Sequence, residues 1–182
     1  MQYYNLIPKL GEGPTAMAHV VYSGLDKTQR MDSLRGSKID DVSAAKVELK
    51  NVTKKFPDLM GRGSSEFFVT DAFKHIVENM ESSQNIHFIP VILRNQQYWL
   101  LNLLNNVEAF DRENSTYSAY EGGALKSIQK LAMKEDKIQG RNIFRMAEEP
   151  VYIFISKTLK DAIEANNLTG IAYDNIFEIK TT

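Results

Sequence analysis

The chain has 182 residues, 43% of them hydrophobic and 25% charged. That suits one domain, or at most two small ones, with a real core, and it is too apolar for a disordered segment. Its 22 basic and 23 acidic residues leave a net charge of −1, which speaks against nucleic acid as the main partner and against a polybasic membrane anchor, because both need clustered positive charge. The chain has no cysteine, which excludes disulfides, thiolate metal ligands and a cysteine nucleophile.

The N-terminal string MQYYNLIPKLGEGP lacks the charged start, long apolar stretch and small-residue cleavage site of a signal peptide. No apolar run approaches the roughly 20 residues that cross a bilayer. The expectation is a cytoplasmic protein without a membrane partner. YYNLI and AMAHVVYS read as strands separated by the turn GEGP. KTQRMDSLRGSKIDD is polar and reads as a surface loop, KVELK alternates like a strand, and KKFPDLMGRGSS reads as a loop broken by Pro57, Gly61 and Gly63. The dense apolar run over residues 86–104 predicts a β-hairpin with its turn at Asn95-Gln96, although a buried helix starting at Tyr98 is the alternative. Pro90 then needs an edge, a bulge or an outward-facing place, since it cannot donate to a ladder. ALKSIQKLAMKEDKIQG is a strand with a polar turn or a short helix, NIFRM is a short strand, and IAYDNIFEI is a last strand.

One phrase occurs twice. EFFVTDAFKHIVEN, from Glu66, aligns without a gap on YIFISKTLKDAIEA, from Tyr152. In each, a short apolar run ends in a hydroxyl, Thr70 or Ser156, placed to accept from the free N–H groups of a helix's first turn. Apolar residues then recur at helical spacing: Phe73, Ile76 and Val77 in the first copy, Leu159, Ala162 and Ile163 in the second. The recurrence is either a common strand–cap–helix–strand unit met twice or an internal duplication; two copies fall short of a repeat array. The fold class expected is α+β: a single domain over 1–182, with a mixed β-sheet, hairpins and a few packed helices.

No catalytic constellation is legible. GEGP and GRGSS lack the lysine and helix of a phosphate-binding loop, and no GxSxG elbow exposes a serine. Asp71 and His75 stand i, i+4 on the first predicted helix, a surface pair rather than a metal site, since further ligands at set spacing are missing. The pairs Asp40-Asp41 and Glu148-Glu149 read as solvated charge. The expectation is therefore no catalytic residue, no metal and no cofactor. Residues 106–123, NVEAFDRENSTYSAYEGG, differ in mixing acidic residues with Phe110, Tyr117 and Tyr120. This is either an ordinary surface loop or a recognition surface, in which tyrosines give contact area and carboxylates suit a basic partner.

The ordered set Thr70, Pro90-Val91, Tyr98, Asp111, Ser115, Ile143-Phe144-Arg145, Ser156, Leu159 and Thr169-Gly170 resembles the Imm11 family of immunity proteins, also described as DUF1629, which accompany bacterial polymorphic toxins. The family-like part runs over 65–177, and the match over 1–64 is looser. The resemblance implies a non-enzymatic protein that binds and neutralises a cognate toxin or effector C-terminal domain, as a monomer or a homodimer. It carries no catalytic residue; Asp111, Ser115 and Arg145 fit structural roles, fixing turns and tying elements together. The expected toxin interface is Asp111, Glu113, Tyr117, Tyr120 and Glu121. The competing readings are a small hydrolase or transferase with an unrecognised site, and a structural assembly subunit.

Overall fold

A computed structural model describes residues 1–9, 20–23, 25–39, 45–49, 56–62, 66–93, 95–174 and 178–182, with the backbone alone at 20–23, 45–49 and 62. The turn expected at 11–14, His19, Asp40-Asp41 and the segments 63–65 and 175–177 lie outside them. In chain order the elements are β1 Tyr3–Pro8, β2 Val20–Ser23, α1 Lys27–Leu34, β3 Ala45–Leu49, β4 Leu59–Arg62, β5 Glu66–Val69, α2 Asp71–Met80, β6 Ile86–Leu93 and β7 Gln96–Leu103. Then follow β8 Thr116–Ala119, β9 Leu125–Met133, α3 Glu135–Ile138, β10 Ile143–Arg145, β11 Ile153–Ser156, α4 Lys157–Ala165, β12 Ile171–Asp174 and β13 Glu178–Thr181. The α+β class holds, with three sheets in place of one mixed sheet: β2-β3-β6-β7-β5-β4, β10-β11-β1-β12 and β13-β9-β8.

Three expectations need correction. KTQRMDSLRGSKIDD is not a loop: it contains α1, which starts with a reciprocal capping box between Asp26 and Gln29. The helix buries only Ser33, so no apolar stripe announced it. KKFPDLMGRGSS contains β4, a strand carrying a glycine. IAYDNIFEI is two strands, β12 against β1 and β13 against β9. The hairpin β6–β7 is as expected, with Asn95 at φ 63 in its turn. Pro90 stands one residue before the β3 ladder, which begins at Val91, so its missing N–H breaks no bond there.

The repeated phrase marks a duplication of the whole architecture. Taking β12 and β13 together, the order β8-β9-β13/β12-β1-β11-β10 reproduces β2-β3-β6-β7-β5-β4, and every neighbour has the same parallel or antiparallel sense. The chain is thus two tandem units, β1 to β6 and β7 to β13. Each unit's first strand lies in the other unit's sheet: β1 sits between β11 and β12, and β7 between β5 and β6.

Details repeat as well. Thr70 and Ser156 both precede helices in extended conformation, and both backbone N–H groups donate to the residue before the neighbouring strand, Asp58 O at 3.0 Å and Asn142 O at 2.9 Å. Both hydroxyls donate to the side chain of that same residue, Asp58 Oδ1 at 2.9 Å and Asn142 Oδ1 at 2.7 Å. Ser156 also accepts from Leu159 N at 3.1 Å, as a helix cap does. Thr70 makes no such cap bond, so the expected cap holds at Ser156 and not at Thr70. Lys74 lies over the Trp99 and Phe88 rings and pairs with Glu78; Lys160 lies over Tyr4 and Tyr173 and pairs with Glu164. By strand register Trp99 corresponds to Tyr4, and Phe88 to Tyr173.

The units share one core. Phe67, Val69, Phe73, Val77 and Leu101 meet Leu6, Ile153, Ile155, Leu159 and Ile163 in a single buried cluster between the two phrases. The opposite faces bury their own clusters, around Phe68, Met60 and Leu100 in the first sheet and around Phe154, Phe144 and Phe110 in the second. Reciprocal ties close the pair. Asp58, leading into β4, accepts from the Thr169 N–H and hydroxyl after α4, each at 2.8 Å. Glu81, just after α2, accepts from Asn142 N at 2.6 Å and Ile143 N at 3.2 Å, leading into β10.

Gly170 is the tightest point of this junction. Its φ is +76°, and a Cβ there would lie 2.5 Å from Pro57 Cβ and closer still to the Leu59 carbonyl oxygen. Gly170→Ala should lower stability by about 3 kcal/mol, near the top of the usual single-substitution range. Gly122→Ala, where a Cβ meets nothing within 4 Å, should change it by less than about 0.5 kcal/mol. Urea unfolding of both variants checks this, and because the exchanged strands join the units, each should unfold in a single transition.

Candidate functional site

Residues 106–123 leave the end of β7, cross one face of the second unit and form β8 of the β8–β9 hairpin. The structure divides the five candidate residues into two groups. Asp111 is buried, at 6% exposure, and its carboxylate is fully used. Oδ1 accepts from Glu113 N at 3.1 Å and Asn114 N at 3.3 Å; Oδ2 accepts from Asn114 Nδ2 at 2.7 Å and Thr182 Oγ1 at 2.9 Å. This is an Asx-type turn. The side-chain bonds from Asn114 and Thr182, with the backbone N–H groups behind them, hold the Asp111 pKa below its ordinary value. Ser115 completes the turn, donating to Ala132 O at 3.3 Å and accepting from Ala132 N at 2.9 Å.

Tyr117 is half-buried. Its ring meets Phe110 edge to face at 5.0 Å between centroids, and Arg112 lies over both rings. The expectation of an uncommitted Tyr117 is corrected: part of its area belongs to the second unit's core. Tyr120 differs. It is 60% exposed and heads the tip Tyr120-Glu121-Gly122-Gly123, closed by Gly123 N donating to Tyr120 O at 2.8 Å, with Gly123 at φ +81°. Glu113 and Glu121 are exposed as well, and Glu121 follows Tyr120 in the chain. Its one described ring contact is a cation, Lys126 Nζ at 5.8 Å.

The sequence reading missed Lys126, which the hairpin adds to the segment's own Arg112. Lys126 approaches the tip, and Arg112 reaches Gly123 O at 3.4 Å. Acidic and basic groups alternate over this surface, so its charge is mixed. Strand β8 is the outer strand of its sheet, is short, and shifts register at Thr116/Tyr117 and at Ser118/Ala119. Such irregularity discourages pairing with a foreign strand.

Other candidates resolve into structure. Asp71 accepts from the Trp99 indole at 2.6 Å and His75 lies 3.7 Å from Glu78, so the two do not pair with each other. Glu148 is not simply solvated: its Oε1 accepts from Phe110 N at 3.2 Å. Burial raises the neighbouring Glu149 pKa. Arg145 is 2% exposed and donates to Pro150 O; desolvation lowers its pKa to about 10 while the Glu66 charge opposes the fall. Glu66 in turn pairs with Arg30 at 2.7 Å. Among the described residues, no group of three His, Asp or Glu side chains is placed to hold a metal ion, and no helix is long and apolar enough to cross a membrane.

Two fused sheet-and-helix units, with polar groups engaged inside them and a solvent-facing hairpin, define an α+β scaffold that presents a surface. The chain belongs to the Imm11 immunity protein family, whose profile matches residues 3–178 and so spans both units. A search of the curated proteins found no match.

The carboxylate of Asp111 stabilises the fold while ionised. Its contribution is present above the unfolded-state pKa, about 3.9, and is lost as pH falls through the lower folded value. Asp111→Asn should therefore be less stable than the parent at neutral pH, with the gap shrinking below about pH 4. Thermal melts of the two proteins from neutral to acid pH measure this. Tyr117→Ala should cost about 1 kcal/mol or more through the lost ring pair, whereas Tyr120→Ala should leave the melting temperature nearly unchanged.

Proposed function

We propose that this protein is the immunity partner of a secreted bacterial toxin, which it neutralises by binding and without catalysis, and that the β8–β9 hairpin tip contributes to the interface. Membership of the immunity family supports the first part. The observation that carries the second is the exposure of Tyr120. It is an aromatic ring on a glycine-closed turn, outside all three hydrophobic clusters, so it is free for a partner. Tyrosine is a common interface anchor because it gives large contact area with little rotamer loss and a polar end. Glu113 and Glu121 supply charge for orientation. Asp111 acts beneath them, holding the turn from which Glu113 projects, and Tyr117 supports the hairpin from its inner side.

The test is co-expression with the toxin domain encoded beside this protein, read as growth and as co-purification. The parent should protect. Tyr120→Ala should weaken binding by about 2 kcal/mol, mainly through faster dissociation, with an unchanged melting curve. Glu121→Lys should act mostly on association, and less at high salt. Unchanged affinity in both variants would move the interface away from the hairpin. Protection by the parent with no physical complex would count against inhibition by binding altogether.

A further inference from the structure

We propose that β1 is an exchangeable strand, and that the slot between β11 and β12 binds the same strand of a second copy of this chain. The proposal is independent of the toxin reading and rests on connectivity. β1 belongs by chain order to the first unit, yet it completes the sheet of the second. It pairs with β11 through Tyr3–Asn5 and with β12 through Asn5–Pro8. Flanking bonds extend the seat: Lys157 N donates to Gln2 O and Lys9 N to Gly170 O, both at 2.9 Å, and the Tyr3 hydroxyl donates to Arg141 O at 3.2 Å. Tyr3, Asn5 and Leu6 are buried. All of these bonds run to residues of the second unit. They are the same whether that unit continues the same chain or another one.

A reciprocal swap therefore breaks none of the bonds it remakes, and the choice between closed monomer and swapped pair falls to chain concentration against loop closure. The equivalent strand β7 lacks this freedom. It is tethered to its neighbour β6 by the tight turn at Asn95 and pairs with it along its whole length. The duplication thus leaves one strand of each exchanged pair fixed and one transferable.

The experiment uses the full chain, which has no cysteine of its own. Ile7 and Ala172 face each other across β1 and β12, and both are half-buried. Two single variants, Ile7→Cys and Ala172→Cys, are unfolded in urea, mixed in equal amounts, refolded over a range of concentrations and oxidised. Mass is followed by light scattering. The expected result is a dimer whose ratio to monomer rises about tenfold for each tenfold rise in monomer concentration, as mass action requires. It should carry a disulfide joining an Ile7→Cys chain to an Ala172→Cys chain, while the double variant forms the bridge within one chain at low concentration. Refolding to monomer alone at every concentration overturns the proposal. So does a dimer in which the mixed disulfide never forms although the double variant closes its own, since that dimer uses another surface.

Discussion

Each sheet of this protein has a gap that only the other half of the chain fills. β11 and β12 meet through β1, and β5 and β6 through β7. Removal of either strand would expose two rows of unpaired backbone groups and open one side of the shared core, and buried backbone groups without partners are costly. The two phrases around Thr70 and Ser156 can therefore face each other across one cluster only when both exchanges are made. The side-chain ties follow the same logic. Asp58 with Thr169, and Asn142 with Glu81, each bind the lead-in of one unit's strand to the loop beyond the other unit's helix. The half-buried carboxylates in these places are each satisfied by several donors, which is the condition for polar groups to stabilise a junction.

The units have diverged in the connection after their second strands. Between β2 and β3 the first unit carries α1, which bonds to the second unit's first strand through Ser33 Oγ and Asn102 Oδ1 at 2.9 Å. Between β8 and β9 the second unit carries only the tip Tyr120–Gly123. The same place in the architecture is thus used once to cover a sheet and once to present a ring to solvent. The family profile spans both units, and the hairpin belongs to the second of them.

Much of the fold was legible because local pattern and tertiary role agreed. The repeated phrase, the hairpin at Asn95 and the strand NIFRM each carry periodicity and turn residues that the packing uses directly. The failures have separate causes. α1 is announced by its Asp26–Gln29 cap and by nothing apolar. β4 is a short strand containing Gly61, whose propensity the pairing with β5 overrides. The exchange of β1 and β7 has no local signature, since a strand reads the same in either sheet. At the candidate site, the turn-fixing role expected of Asp111 and Ser115 holds, while charge and aromatic content read along the chain also put Asp111 and Tyr117 in the expected interface. Their partners, Thr182 and Phe110 among them, are visible only in space. Of the five residues, Tyr120 and the two glutamates are the exposed ones.

Gly122 has a consequence of another kind. A side chain there would meet open space, while Gly170 admits none. The molecule therefore separates positions where sequence drift is lethal to folding from a tip where drift is nearly free. Sequence change can accumulate beside Tyr120 one residue at a time while the paired sheets beneath stay as they are.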